Sequence, residues 1–357
     1  MQARITHLDG MRGFAILMVI AYHAWARWPE LLPYVATTQH LPLFSFGWAG
    51  VQLFFMISGF VIFMTLDRSE SYSGFLQKRW LRLFPAMLIA SLLLFLAGGF
   101  FPEWSLMTPY AKNLLPGLLF INPETLTQLT GISFHSMAGS FWSLYVEALF
   151  YLIIGAVYFT AGRKYCLPAL ILPMLLLSGA SVIKSLGYPL LVDIISKLGF
   201  IHYAWFMVGC LVYERLHGRD RRYHYLLVAV ALLINFSYYV KNSGALALVP
   251  LVAMLLFFIA SFRLQRIQHF LSLRLFTAMG FVSYALYLIH ENLMIAMLIK
   301  LNRYVKSDTV MMIMPPVMVI VLAGVAYVIT RYAEPALRRA LQKKRQPVAP
   351  AAGSGIE

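Results

Sequence analysis

Charge is what this sequence has least of. Asp, Glu, Lys and Arg make up 12% of its 357 residues, against roughly 25% in soluble domains, and so thin a supply cannot cover a water-facing surface. There are only two cysteines, Cys166 and Cys210, which excludes a disulfide scaffold and a zinc-finger array. No Gly-rich phosphate loop and no G-x-S-x-G elbow occurs. The ten-residue alternation of a membrane β-barrel is also missing, because the apolar residues come in long continuous blocks. Those residues are 61% of the chain, about 218 positions, and ten membrane helices of about 20 residues need roughly 200. The expected fold is therefore all-α, a polytopic membrane helix bundle. Its ten spans lie at about 10–28, 48–66, 83–101, 142–160, 166–183, 199–214, 224–240, 244–261, 276–300 and 310–332.

The formal charge of +15 would suggest a nucleic-acid partner if the basic residues lined one surface. They lie instead between the apolar blocks. With the N-terminus placed inside, 21 of the 29 Lys and Arg residues fall in inner segments. That asymmetry orients both termini toward the cytoplasm and leaves no need for a nucleic acid. A small-x-small triplet at Ala24-Trp25-Ala26 resembles a signal-peptidase site, but His23 and Tyr22 interrupt the apolar region before it, so cleavage is not expected. In the outer connection at 102–140, the apolar stretch near Leu114–Ile121 is expected to be re-entrant or interfacial. Residues 1–340 form the expected membrane domain, and 341–357, basic and then Pro/Ala/Gly-rich, an expected disordered tail.

Ionisable groups at membrane depth are costly and are functional candidates by default. Of fourteen acidic residues only Glu147 and Glu291 fall well within spans, and of nine histidines only His23 and His290 do. Arg12 and His23 are eleven residues apart, which leaves them about 20° apart around a helix and about 16 Å apart along it. Taken singly, Arg12 also reads as an interfacial anchor and His23 as a packing hydrogen bond. Glu147 and His23 each lie about five residues below the outer end of a span, at matched depth, and Ser143 is one turn from Glu147. A His/carboxylate pair is the minimum apparatus for drawing a proton from an alcohol, with a buried structural ion pair as the alternative.

Arg79 and Arg82, three apart beside the inner surface, suit bidentate phosphate recognition or plain anchoring to lipid headgroups. Ser58-Gly59 in the second span suits either close helix approach or a substrate passage. Ser283, Tyr287 and His290 share a stripe of the ninth span, either a cavity wall or a hydrogen-bonded seam. The residue four after His290 is Met294, so H-E-N-L-M is not a zinc helix, and no metal is expected.

These residues also carry a family resemblance. LDGMRGFAILMVIAYHA, FFMISGF, KRWLRLFP, FWSLYVEALFYL and SYALYLIHENL follow in the order of the signatures of acyltransferase family 3, and RYAEPALRR resembles its closing element. The match runs from about Ile5 to Arg339. The resemblance implies a bacterial inner-membrane enzyme that moves an acyl group, usually acetyl from cytoplasmic acetyl-CoA, to a hydroxyl of a cell-surface or exported glycan. It makes acetyl-CoA a substrate rather than a resident cofactor, and Arg12 with His23 the essential pair. Arg79 and Arg82 become donor-binding, with Glu147 as the acidic partner. Trp142, Ser143, Tyr287 and His290 are the expected acceptor contacts. His23, oriented by Glu147, would take the acceptor's proton, with an acetyl-histidine intermediate as a variant. Membrane lipids are expected partners, and any partner protein would act from the outer side. A small-molecule acceptor and a secondary transporter are the rival readings.

Overall fold

The structure, a computed structural model, describes residues 6–104 and 110–343. Among the described residues it is all-helical. Helices α1 (Thr6–Trp25), α2 (Gly50–Leu66), α3 (Tyr72–Gly98) and the short α4 (Leu114–Leu119) lead to α5 (Trp142–Thr160) and α6 (Cys166–Ser178). Then follow α7 (Pro189–Lys197), α8 (Tyr203–Leu216), α9 (Arg222–Ser243), α10 (Leu248–Ser261) and α11 (Gln265–Leu271). The long α12 (Arg274–Asn302) and α13 (Asp308–Val328) come next, and a five-residue π-helical turn at Ile329–Ala333 joins α13 to α14 (Glu334–Lys343).

Large apolar side chains point outward, as with Leu226 at 65% and Ile320 at 73% exposure, while Gln52, His290, Glu291 and Asn292 are buried. That distribution suits a lipid surround and is the signature of a multi-pass membrane protein. Among the described residues six helical runs are long and apolar enough to cross a bilayer, and two bent pairs, α7 with α8 and α10 with α11, raise the number to eight if each is one span. Of the ten expected spans, the first and fifth fall outside that set. Asp9, Arg12 and His23 dilute the apolar run of α1, and α6 has only 13 residues before a break at Gly179. The stretch expected to be re-entrant or interfacial forms α4, which packs on α3 and ends at Phe120 in the left-handed region (φ 55°). The expected tail begins inside α14, and its residues 344–357 lie outside the described residues.

Helix α1 is the central element, packed along α12 and α2. Glycine makes that approach possible. A Cβ on Gly13 would stand 1.8 Å from the Phe276 carbonyl oxygen, and one on Gly280 would stand 1.9 Å from that of Asp9. The chain after α1 folds back on its last turn, where carbonyls lack helical partners. The Tyr34 hydroxyl donates to the Ala24 carbonyl at 2.8 Å and Thr38 Oγ1 to that of Trp25 at 2.7 Å. These bonds fix the end of α1 that carries His23.

Candidate active site

A cavity of about 220 Å³ lies among α1, α2, α3, α5 and α12. Arginines dominate one end. Arg79 and Arg82 sit in the third turn of α3, whose first turn is capped by Ser71 Oγ accepting from the Gly74 N–H at 3.1 Å. Arg79 donates to Thr65 Oγ1 at 2.6 Å and lies over the Tyr151 ring. Arg82, with a side chain 44% exposed, marks the mouth. It lies over the Tyr284 ring and 3.7 Å from Glu334, which also holds Arg338 at 2.7 Å. Arg12 is the third arginine of the wall and pairs with Asp9 at 3.0 Å.

Glu147 is the carboxylate in the wall of the cavity among the described residues. Ser58 Oγ donates to it at 2.5 Å, and the Tyr151 hydroxyl, one turn along α5, donates to the same oxygen. Close helix approach holds at Gly59, where a Cβ would strike the Phe206 carbonyl on α8 at 2.1 Å, and Ser58 lines the cavity. At the far end of the cavity Ser143 and Tyr287 are buried and share a hydrogen bond of 2.7 Å.

Past Tyr287, the next turn of α12 brings His290 and Glu291 to His23. His290 Nδ1 lies 2.8 Å from the Tyr287 carbonyl, and His23 Nδ1 lies 2.9 Å from that of Val19. A carbonyl can only accept, so each ring is set as the Nδ1–H tautomer with Nε2 as its basic nitrogen. His290 Nε2 faces His23 Nδ1 at 3.3 Å and can share its proton. His23 Nε2 lies 3.4 Å from Glu291 Oε1. The other carboxylate oxygen accepts the Ser140 N–H at 2.5 Å, and Asn292 Nδ2 donates to the Met137 carbonyl at 2.6 Å. Residue 139 has to be small there, because a Cβ on Gly139 would stand 2.7 Å from Glu291 Oε1. The result is an imidazole whose Nε2 can take a proton with a buried carboxylate beside it.

The structure thus brings Arg12, Arg79, Arg82, Glu147, Ser143 and Tyr287 to one cavity and His23 with His290 just beyond it. The expected pairing of His23 with Glu147 is corrected. Matched depth made the two available to each other, but α1 lies against α12, so the carboxylate at His23 is Glu291, and Glu147 is engaged by Ser58 and Tyr151. Trp142 is not in the cavity wall. It is 36% exposed and lies against His202 and Phe55. Glu291 stood among the acids at depth in the sequence, and its place beside His290 was the available signal. Nothing in the sequence marked Ser58 or Tyr151 as partners of Glu147.

Among proteins of known family, a model described as an acyltransferase domain matches residues 5–331. The chain is 30% identical over 183 residues to a protein named O-acetyl transferase from Shigella phage Sf6, a match covering 48% of this chain and 52% of that one. It is 32% identical over 162 residues to nodulation protein 10 of Rhizobium leguminosarum bv. viciae, 42% of each chain. It is 31% identical over 157 residues to acyltransferase MdmB of Streptomyces mycarofaciens, 42% of this chain and 38% of the relative. The matched part spans about half the length of these relatives or less. No solved structure matches.

Proposed function

The chain belongs to the acyltransferase family whose domain model covers residues 5–331, and on that premise we propose that it takes acetyl from cytoplasmic acetyl-CoA and passes it to a hydroxyl of a cell-surface or exported glycan. In this reading the bundle crosses the bacterial inner membrane ten times with both termini cytoplasmic, as the distribution of basic residues favours. One observation carries the reading: a single file of groups leads from three arginines, through Ser143 and Tyr287, to His23 and Glu291. Arg79, Arg82 and Arg12 bind the donor's phosphates as charge-assisted partners. The thioester arm lies along the cavity past Glu147, whose carboxylate offsets part of the charge of the arginine cluster.

His23 Nε2 takes the proton of the acceptor hydroxyl as its oxygen attacks the thioester carbonyl. The imidazolium formed faces the Glu291 carboxylate, and the tetrahedral adduct expels CoA thiolate, which recovers the proton. His290, fixed by the Tyr287 carbonyl, holds the His23 ring in register. Purified protein should release CoA from acetyl-CoA only when an acceptor is present, and surface glycans of the host should lose acetyl groups when the gene is removed. Release of CoA with a small alcohol but an unchanged glycan mass spectrum would move the assignment to a small-molecule acceptor. Absence of CoA release under all conditions would refute the donor.

A further inference from the structure

A second cavity lies at the end of α1 opposite Arg12. We propose that it is a subsite for an uncharged sugar ring of the acceptor, a deepening that rests on the acyl-transfer reading above. The cavity, about 320 Å³, is walled by Tyr22, Ser45, Phe46, Trp48, Tyr239 and Ser243, and that volume falls within the range of about 300–1,000 Å³ usual for small-ligand sites. Trp48 and Tyr239 lie nearly parallel, with ring centroids 5.3 Å apart and 16° between planes. They stack on one another, which leaves the outer face of the pair and the polar Tyr239 hydroxyl edge to meet the C–H face and the hydroxyls of a pyranose.

Two observations narrow the ligand. Among the described residues no charged side chain lines the cavity, so a phosphate or carboxylate would find no counter-charge from them. The hydrogen bonding at its wall is also directional. Gln52, 2% exposed, donates through Nε2 to the Tyr239 hydroxyl at 2.8 Å, which leaves that hydroxyl its own proton to give. A sugar hydroxyl can accept that proton.

The cavity adjoins the reacting group. Tyr22 precedes His23 on α1, and the two rings are 5.3 Å apart between centroids. A sugar held against Tyr22 and Trp48 brings the neighbouring unit of a glycan to the imidazole. Membrane proteins also place Trp and Tyr at the bilayer interface, but there the rings face lipid, whereas these two cover each other at the wall of a cavity.

The test uses the full chain in lipid nanodiscs and saturation-transfer NMR with methyl glycosides of neutral hexoses and 6-deoxyhexoses. At least one glycoside should bind saturably. Trp48→Ala should weaken it about 2- to 10-fold, the usual worth of one aromatic contact. Ser243→Trp, at an exposed rim position, should fill the cavity and abolish binding even if Trp48→Ala fails to fold. Tyr304→Ala, an exposed aromatic elsewhere, should change nothing. Glucose 6-phosphate should bind no tighter than methyl glucoside. No saturable binding by any glycoside, equal binding by the parent and Ser243→Trp, or preference for the phosphorylated sugar would each overturn the subsite. CoA release measured on the same preparations separates the two readings. Sugar binding lost in Ser243→Trp, with no CoA release from the parent, sustains the subsite and refutes the transferase. Normal release with an unchanged acceptor KM in Ser243→Trp refutes the subsite alone.

Discussion

Replacing Glu291 by Gln keeps the shape of the side chain and removes its charge. In the folded protein Glu291 Oε1 stands 3.4 Å from His23 Nε2. At an effective dielectric of about 20, two unit charges at that separation attract by about 5 kcal/mol. The His23 side chain is still 13% exposed, and water at that edge screens part of the attraction, leaving about 2–4 kcal/mol to support the imidazolium. With tenfold in rate for each 1.36 kcal/mol, kcat should fall about 30- to 1,000-fold, a range that overlaps the span of about 10²–10⁴ usual for general-base catalysis. The amide oxygen of Gln can still accept the Ser140 N–H, so melting temperature should change little. KM for acetyl-CoA should hold, since the arginines are at the other end of the cavity. The assay is release of CoA thiol by purified protein with saturating acceptor. Adding Glu291→Gln to His23→Ala should cost nothing further, because the two act as a unit. A parental kcat for Glu291→Gln together with an inactive Glu147→Gln would refute this assignment and return Glu147 to the role of partner to His23.

Three other outcomes are expected. Arg79→Ala and Arg82→Ala should each raise KM for acetyl-CoA about tenfold or more, the worth of one charged hydrogen bond, with kcat within about threefold; a fall in kcat at constant KM, seen in steady-state kinetics, would contradict donor binding. Gly139→Ala should push Glu291 away from the Ser140 N–H and lower kcat by about tenfold, with a stability cost of about 1–3 kcal/mol; a parental kcat in this variant would mean that the carboxylate need not stand there. Outside the membrane, burial raises the pKa of Asp67, but ion pairing with Arg163 and hydrogen bonds from Arg219, Tyr213 and Tyr158 outweigh it and hold the carboxyl below its ordinary value of 3.8. A lowered folded-state pKa stabilises above the unfolded value and is lost as pH falls through the folded one, so Asp67→Asn should melt lower than the parent at pH 7 and converge with it as pH drops below 3.8; a gap that persists in acid would assign the effect to packing.

Much of the site was readable from helical spacing. The Arg12–His23 stripe, the Arg79–Arg82 pair and the Ser283–Tyr287–His290 stripe follow from intervals within one helix, and intervals within a helix survive folding. Neighbours between helices do not follow from such intervals. A residue's height in the membrane can be counted from the end of its span, but its direction depends on which helix packs alongside, and the glycines at 13 and 280 settle that for α1 and α12. Depth therefore left His23 with a carboxylate but could not say which. Span number blurred for a related reason. A hydropathy block takes no notice of where a helix bends, and α7 with α8 bends by 51° while α10 with α11 bends by 101°.

The π-helical turn at Ile329–Ala333 bears on heredity as much as on shape. Such a turn holds one residue more than an α-helical turn, so everything beyond it is displaced in phase by about 100°. Glu334, the first residue beyond it, meets Arg82 from that shifted phase. Loss of a single codon within 329–333 would straighten the helix, leave every neighbouring side chain chemically unchanged, and swing Glu334 more than a quarter turn from the arginine at the cavity mouth. Across descendants of this chain, a one-residue gap here would therefore be a heavier change than most substitutions in the spans themselves.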